Sequence, residues 1–165
     1  MKSAFITGVL ALGVATLGGQ AAFAQITNDA FMLVPGIPGE SFDDRHERWI
    51  EVLSLSQGFS DLAKASNVCD VAIQKRLDKS GPLLFAAAVT GQIFSQIQIE
   101  IAKPSTGQRY YEIVLTNARV SSLQSSPQSL TESVMLIAES IRLSYFPQKA
   151  DGSLDTPVTA VANCK

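Results

Sequence analysis

The amino-acid sequence predicts a mainly β protein: a compact two-sheet β-barrel or sandwich with one short α-helix packed on its side. Apolar residues make up 46% of the 165-residue chain and charged residues 17%, which is the balance of one globular domain. Segments rich in Val, Ile and Leu recur between turns marked by Pro, Gly and Asp, a spacing typical of sandwiches and small barrels. A single segment carries the start and stop signals of a helix.

Three strands are predicted early in the chain, at 30–34, 49–59 and 68–77. The first strand is stopped by Pro35-Gly36-Ile37-Pro38-Gly39, because two prolines and two glycines cannot sustain a sheet ladder or a helix. Residues 40–48 are densely polar and are expected to form a loop. In the third strand Cys69, Val71 and Ile73 fall at alternate positions, so they should share one face.

The predicted helix covers 83–89. Ser80-Gly81-Pro82 is a helix start, since Ser or Gly can cap a helix and proline is tolerated in its first turn. Gly91 is placed to end it. A helix this short is not stable alone, so we expect it to lie on the sheet.

A hairpin is predicted from strands 92–102 and 110–120, joined by a turn at 103–108 that contains Pro104 and Gly107. The residues expected to face inward are Ile93, Ile97, Ile99 and Ile101 on the first strand and Tyr111, Ile113 and Leu115 on the second.

The last third is predicted to hold a serine-rich loop at 121–129, one long strand at 132–146, a turn-rich tail at 147–157 and a short apolar stretch before Cys164. Residues 134–138 are apolar on both faces of the long strand. A strand buried on both faces needs cover, either from the protein's own helix or from another subunit. Val134 and Leu136 are therefore candidate interface residues.

The first 24 residues form a separate segment. A positive start at Met1-Lys2 precedes an apolar run over 4–17, and Ala22-Phe23-Ala24 fits the small-x-small rule for signal peptidase. The run is shorter than the roughly 20 residues that span a bilayer, which disfavours the alternative of a membrane anchor. We expect cleavage between Ala24 and Gln25, export to the periplasm or the medium, a mature domain at 25–165 and no membrane association afterwards.

Cys69 and Cys164 are the two cysteines, and both lie in the mature domain. Export would place them in an oxidising compartment, where a disulfide is permitted. Such a bond would pin the tail to a core strand. The alternative is a buried thiol at Cys69 and a free thiol at Cys164.

The sequence does not predict a catalytic site or a cofactor. The single histidine, His46, lies among charged residues and could be a metal ligand or a general base, but such a residue is more often part of a solvated loop. Glu40 and Glu47 are poor evidence for a glycosidase pair, because both lie in one loop. A formal charge of −2 gives no basic face for nucleic acid. The chain is interpreted as a non-catalytic binding or assembly protein.

Specific motifs carry a family resemblance. They are, in order, Phe31-Met32-Leu33-Val34-Pro35-Gly36-Ile37-Pro38-Gly39-Glu40-Ser41, Asp43-Asp44, His46, Trp49-Ile50-Glu51-Val52, Lys75-Arg76-Leu77-Asp78-Lys79-Ser80-Gly81-Pro82-Leu83-Leu84-Phe85, Tyr145-Phe146-Pro147-Gln148 and Asp151-Gly152-Ser153. Together they strongly resemble the haemolysin-coregulated protein (Hcp) family, the tube subunits of the type VI secretion system. The resemblance runs from about residue 30 to about residue 153.

The resemblance implies a barrel-like fold of two sheets with one helix at the side and no catalysis. It also implies a homo-hexameric ring, rings stacked into a tube, and type VI spike proteins and effectors as partners. The loop expected to contact a neighbouring subunit is irregular and stiffened by its prolines; its residues are Pro35, Gly36, Ile37, Pro38, Gly39, Glu40 and Ser41.

Two features depart from the family pattern: the signal peptide and the tail that carries Cys164. They suggest a relative exported through the Sec pathway. Two functions therefore stay open. The chain is either a self-assembling ring subunit or an exported monomeric barrel that binds a ligand or protein outside the cytoplasm.

Overall fold

The computed structural model describes residues 29–59, 69–104 and 106–164. This part of the chain holds eight strands and one helix. Their bounds are β1 Asp29–Leu33, β2 Ile50–Phe59, β3 Cys69–Arg76, α1 Ser80–Thr90, β4 Phe94–Lys103, β5 Gln108–Ser126, β6 Thr131–Ala138, β7 Ser140–Tyr145 and β8 Val158–Asn163. The predicted signal peptide and its cleavage point at Ala24 and Gln25 lie outside the described residues.

Six strands close into a barrel. The strand order is β4-β1-β2-β3-β6-β5, and β4 also pairs with β5, so the sheet returns to its starting strand. The ladders are antiparallel, and three of them carry register shifts, at Val52/Ser54, Ile101/Ala102 and Val120/Ser122. Such irregularities let a sheet bend sharply enough to close. The predicted mainly β barrel with one short helix is confirmed.

Strand β5 is longer than predicted. Its first half pairs with β4, and its second half, from Arg119 to Ser126, pairs with β6. The serine-rich segment is thus part of a strand and not a loop. The reason is that Val120 and Leu123 point into the core, while the serines between them need only face solvent.

The predicted long strand at 132–146 is broken into β6 and β7 at Glu139. The Glu139 N–H donates to the Thr116 carbonyl at 3.1 Å, while its carbonyl accepts from the Cys164 N–H at 2.7 Å. In a regular strand both groups of one residue point to the same neighbour. Here they point to opposite neighbours, so β7 continues along β5 and gains β8 on its other edge.

The core lies inside the barrel, where alternate positions of each strand meet. The predicted inward residues Ile97, Ile99, Ile113 and Leu115 are fully buried. Ile101 and Tyr111 are only half-buried, and Ile93 is 61% exposed. Ile93 was expected to point inward, but it precedes β4, which begins at Phe94, and Phe94 takes the buried position instead.

Helix α1 starts earlier and ends later than predicted, spanning Ser80–Thr90. Leu84 and Ala87 are its buried apolar side chains, and the helix lies against β5. Gly91 ends it as predicted: φ is 65°, and its N–H points back to carbonyls of the last turn. Within the described residues, no helix is long and apolar enough to cross a membrane.

A buried charged cluster lies under the start of α1. The Lys75 ammonium is 2.7 Å from the Glu132 carboxylate and 2.8 Å from that of Asp78. Asp78 also accepts hydrogen bonds from the N–H and hydroxyl of Ser80. A Cβ on Gly81 would lie 2.7 Å from a Glu132 oxygen, so a larger residue there would displace this carboxylate from its ion pair.

Candidate assembly surface

The loop between β1 and β2 is folded into a fixed shape by its own backbone. Ile37 donates to the Val34 carbonyl at 3.0 Å and thereby closes a tight turn through Pro35 and Gly36. Three further backbone hydrogen bonds join the two sides of the loop: Gly39 N–H to Arg48 O at 2.7 Å, Arg48 N–H to Ser41 O at 2.9 Å, and Ser41 N–H to Trp49 O at 3.0 Å. These hydrogen bonds hold the predicted contact loop against the residues that lead into β2.

Two positions in this loop are closely packed against the rest of the protein. A Cβ on Gly39 would overlap the backbone of Trp49 and Ile50, so the chain can pass here only as glycine. Ser41 is 3% exposed, and its hydroxyl accepts a hydrogen bond from the Asp43 N–H at 3.2 Å. Close packing of this kind makes the outer residues of the loop a pre-organised surface.

His46 anchors the far side of the loop. It was expected to be solvated but is only 2% exposed. Its ring stacks on Phe31 with centroids 4.2 Å apart and meets the edge of Trp49 at 4.9 Å. The ring nitrogens contact Asp43 at 2.6 Å and Glu100 at 3.1 Å. Both nitrogens are thus occupied, which is a structural arrangement and not that of a free base or metal ligand.

The contact with His46 affects the pKa of the Asp43 carboxyl. Burial acts to raise its pKa, but hydrogen bonds from the His46 side chain and the Arg45 backbone outweigh burial and hold the pKa below its ordinary value. The ionised form of Asp43 is therefore the one that fits the folded loop.

Glu100 links His46 to a second group of charges on the barrel wall. The Arg109 guanidinium lies 2.8 Å from both Glu100 and Glu112, and it also covers the Phe146 ring at 4.4 Å. Among the described residues, no group of three or more His, Cys, Asp or Glu is arranged to hold a metal ion. Glu40 and Glu47 both lie on the exposed surface of the loop.

The outer face of the loop presents a large aromatic side chain to solvent. Phe42 is 93% exposed, although its neighbour Ser41 is buried. A groove of about 290 Å³ lies beside it. The charged residues that line this groove are Glu40, Glu47, Arg48 and Lys79. Phe42 lies within the predicted contact loop, and a lone aromatic residue in a polar loop is the sequence signal that singles it out.

Val134 and Leu136 occupy a different place from the one expected. Their side chains are 1% and 0% exposed, and both are part of the barrel's own core. A side chain covered by its own subunit cannot contact a neighbour. The outward positions of β6 are instead taken by Ser133, Met135 and Ile137, of which Met135 and Ile137 are half-buried.

The outer faces of four strands around Met135 form a shallow depression of about 440 Å³. Its polar lining side chains are Ser54, Ser56, Gln74, Ser122, Gln124 and Ser133. Such a surface is neutral and hydrogen-bonding and has no charge to attract one class of ligand over another.

The structure joins the sulfur atoms of Cys69 and Cys164, and their Cα atoms are 5.7 Å apart. This separation is within the range that a disulfide spans without backbone movement. Cys69 lies at the first position of β3, beside Ala138 at the end of β6. The tail therefore ends against the barrel.

These features together define a class of protein: a small closed β-barrel with a side helix and a rigid loop that displays an aromatic residue. A family model described as "Type VI secretion system effector, Hcp" matches residues 31–149. The chain belongs to the Hcp family of type VI secretion system proteins.

The chain is also similar to individual members of the family. It is 33% identical over 143 residues to "Protein hcp1" of Pseudomonas aeruginosa, an alignment that covers 77% of this chain and 88% of that protein. Its fold is similar to that of Hcp1 from Salmonella typhimurium, with a TM-score of 0.68, 22% identity and coverage of 82% and 94%. A type VI secretion system effector from Yersinia pestis matches with a TM-score of 0.69, 23% identity and coverage of 82% and 99%.

Proposed function

We propose that this chain is an exported, self-assembling and non-catalytic structural protein that forms a closed homo-hexameric ring of the type VI secretion kind. The observation that carries the proposal is Phe42, an aromatic side chain held 93% exposed on a rigid loop. Burying this side chain against a neighbouring subunit would gain about 1.5–3 kcal/mol, which supports a contact here.

The chemistry around Phe42 fits recognition of another protein. Aromatic residues are enriched at the centres of protein interfaces, where charged residues form the rim. Here Phe42 is the apolar centre, and Glu40, Arg48 and Lys79 beside it provide charges of both signs. The Lys79 N–H donates to the Glu40 carboxylate at 3.3 Å, so the rim also holds the loop against the start of α1.

A ring requires that the Phe42 side chain of one subunit enter a recess elsewhere on the next subunit. A protruding side chain on one subunit needs a recess at a different place on its neighbour, which makes a head-to-tail contact. Head-to-tail contacts close into a ring when the rotation between subunits divides a full turn. Stacked rings would form a tube, with effectors inside it and a spike at its end, as the family resemblance implies.

Native mass spectrometry of the exported protein tests the proposal. We expect a six-subunit species, and we expect Phe42→Ser to weaken assembly by about 2–4 kcal/mol per contact, as loss of an interface anchor does. Val89→Ser is the matched control, since Val89 is 71% exposed and lies at the end of α1 away from Lys79. A monomer at every concentration would overturn the ring and leave the exported monomeric barrel, which binds a ligand or protein, as the better account.

A further inference from the structure

Strand β8 lies beyond the part of the chain that matches the family. The family match ends at residue 149, and β8 spans Val158–Asn163. Among the described strands, β8 alone has a partner on one side only, namely β7. It is therefore an open edge over its whole length, and unpaired backbone groups at such an edge are a template for another strand.

The hydrogen-bond pattern identifies which groups face the open edge. Phe146, which directly follows β7, donates its N–H to the Tyr110 carbonyl of β5 at 2.9 Å. Backbone groups alternate in direction along a strand, so the even-numbered residues of β7 face β5 and its odd-numbered residues face β8. Cys164 donates to Glu139 on the β7 side, so the even-numbered residues of β8 face β7. The two observations agree. The residues whose N–H and C=O groups face the open edge are Thr159, Val161 and Asn163.

The open edge lacks the usual protection against pairing. Edge strands are ordinarily guarded by charged residues, proline or a bulge. The sequence of β8 is Val-Thr-Ala-Val-Ala-Asn, which has no charge and no proline. Its ladder with β7 is regular over all six residues. Val158 and Val161 are 68% and 64% exposed, so the strand also presents apolar surface to solvent.

We propose that β8 pairs antiparallel with β8 of a second copy of this chain, about a two-fold axis that passes beside Val161. In this register Val161 lies opposite its own counterpart, and Thr159 lies opposite Asn163. Branched apolar side chains then meet each other, and polar side chains that can hydrogen-bond meet each other. On the other face Ala160 lies opposite Ala162, where small side chains allow close approach.

The choice of a second copy follows from this self-complementarity and from charge. Strand β8 contains no charged residue, so antiparallel pairing of two copies brings no like charges together. Because the pairing uses the same strand of both copies, the contact is isologous, and a pair of copies closes at two. A two-fold contact cannot by itself close a six-membered ring. It therefore joins two monomers or two separate assemblies, independently of the Phe42 surface.

The pairing is tested by sedimentation velocity, which measures the size of the particles formed by the native exported protein and by two variants at Val161. Val161→Pro removes an N–H at the open edge and leaves the ladder to β7 intact, since that N–H does not face β7. Val161→Lys places two like charges directly opposite each other. We expect the native protein to form particles of twice the smallest assembly and both variants to weaken this doubling at least about tenfold. Val161→Thr is the control that keeps both the N–H and the branched shape.

The outcomes separate the pairing from loss of β8 itself. Hydrogen exchange should show that the backbone of β7 stays protected in Val161→Lys, and added salt should partly restore its doubling because salt screens the repulsion. The proposal is overturned if the native protein never doubles, or if Val161→Lys doubles as readily as Val161→Thr while β7 stays protected. Six residues form a small contact, so the concentration range should extend to about 1 mM, the range of weak association.

Discussion

Lys75 and Glu132 form an ion pair with almost no access to solvent: Lys75 Nζ lies 2.7 Å from Glu132 Oε2, and the two side chains are 0% and 4% exposed. The pair joins β3 to β6, and it lies directly beneath Gly81 at the start of the helix. Removing one partner of a buried pair leaves an uncompensated charge, which destabilises the fold more than replacing both partners by apolar residues. The pair therefore ties the helix position to the barrel wall.

Lys75→Met should lower the free energy of unfolding by about 3–5 kcal/mol, because Glu132 and Asp78 would be left buried without a cation. Urea denaturation of the variant gives the value. Lys79→Met is the matched control, since Lys79 is exposed, and its effect should stay within about 0.5 kcal/mol. Adding Glu132→Gln to Lys75→Met should recover part of the loss. Equal stability of the two lysine variants would contradict the assigned role.

Gly39→Ala should disrupt the assembly loop while the barrel stays folded. The added Cβ would overlap the Trp49 backbone, so the loop must move and Phe42 must leave its position. Gly36→Ala is the control: Gly36 has a φ of 80°, but a Cβ there meets no atom within 4 Å, so the cost is local strain of about 1 kcal/mol. Native mass spectrometry and circular dichroism should show loss of the ring in the first variant alone. Rings that survive Gly39→Ala would argue against the loop as the contact.

Much of the barrel could be predicted because its information is local. The alternation of Ile97 and Ile99, and of Ile113 and Leu115, follows from the period of a strand, and each pattern can be recognised within a few residues. The helix end at Gly91 is likewise a local signal, since its left-handed φ of 65° suits glycine.

The misplaced features depend on contacts between distant residues. His46 is buried because Glu100, 54 positions later, and Phe31 enclose it, and a polar stretch of sequence does not reveal such partners. The break at Glu139 depends on a bond to Cys164 at the far end of the chain. The sequence therefore predicts one strand where the fold has β6 and β7, and the prediction of an interface at Val134 is wrong because this side chain is part of the barrel core.

Asp43 should make stability pH-dependent at acid pH. Its pKa is lowered in the folded protein, so the unfolded chain takes up a proton first as the pH falls. The stabilising contribution is then fully present above the unfolded pKa of about 3.9 and is lost as the pH falls through the lower folded value. Asp43→Asn should flatten the decline in stability below about pH 4 relative to the native protein. Denaturation midpoints between pH 2 and 7, roughly the range in which carboxylates titrate, give the comparison. Identical slopes would exclude this role.

The signal peptide should be removed between Ala24 and Gln25 when the chain is exported. The expectation rests on the small-x-small site Ala22-Phe23-Ala24 after an apolar run. Edman sequencing or intact-mass measurement of protein from the periplasm and the medium identifies the new N-terminus. Ala24→Pro is a variant expected to block processing, because signal peptidase requires a small residue beside the cut. Protein that retains Met1 in either fraction would rule out cleavage.

Cys69 and Cys164 should form a disulfide in the exported protein, and the bond should stabilise it. The two residues are 95 positions apart, and closing so long a loop contributes about 4 kcal/mol on the chain-entropy model. Adding dithiothreitol should therefore lower the denaturation midpoint of the native protein. Cys164→Ser should already be at the lower value and should not respond to the reductant. Because Cys164 directly follows β8, reduction should also raise hydrogen exchange at Val158–Asn163 before the barrel unfolds. Alkylation of both cysteines in the folded exported protein without reductant would show that the bond is absent.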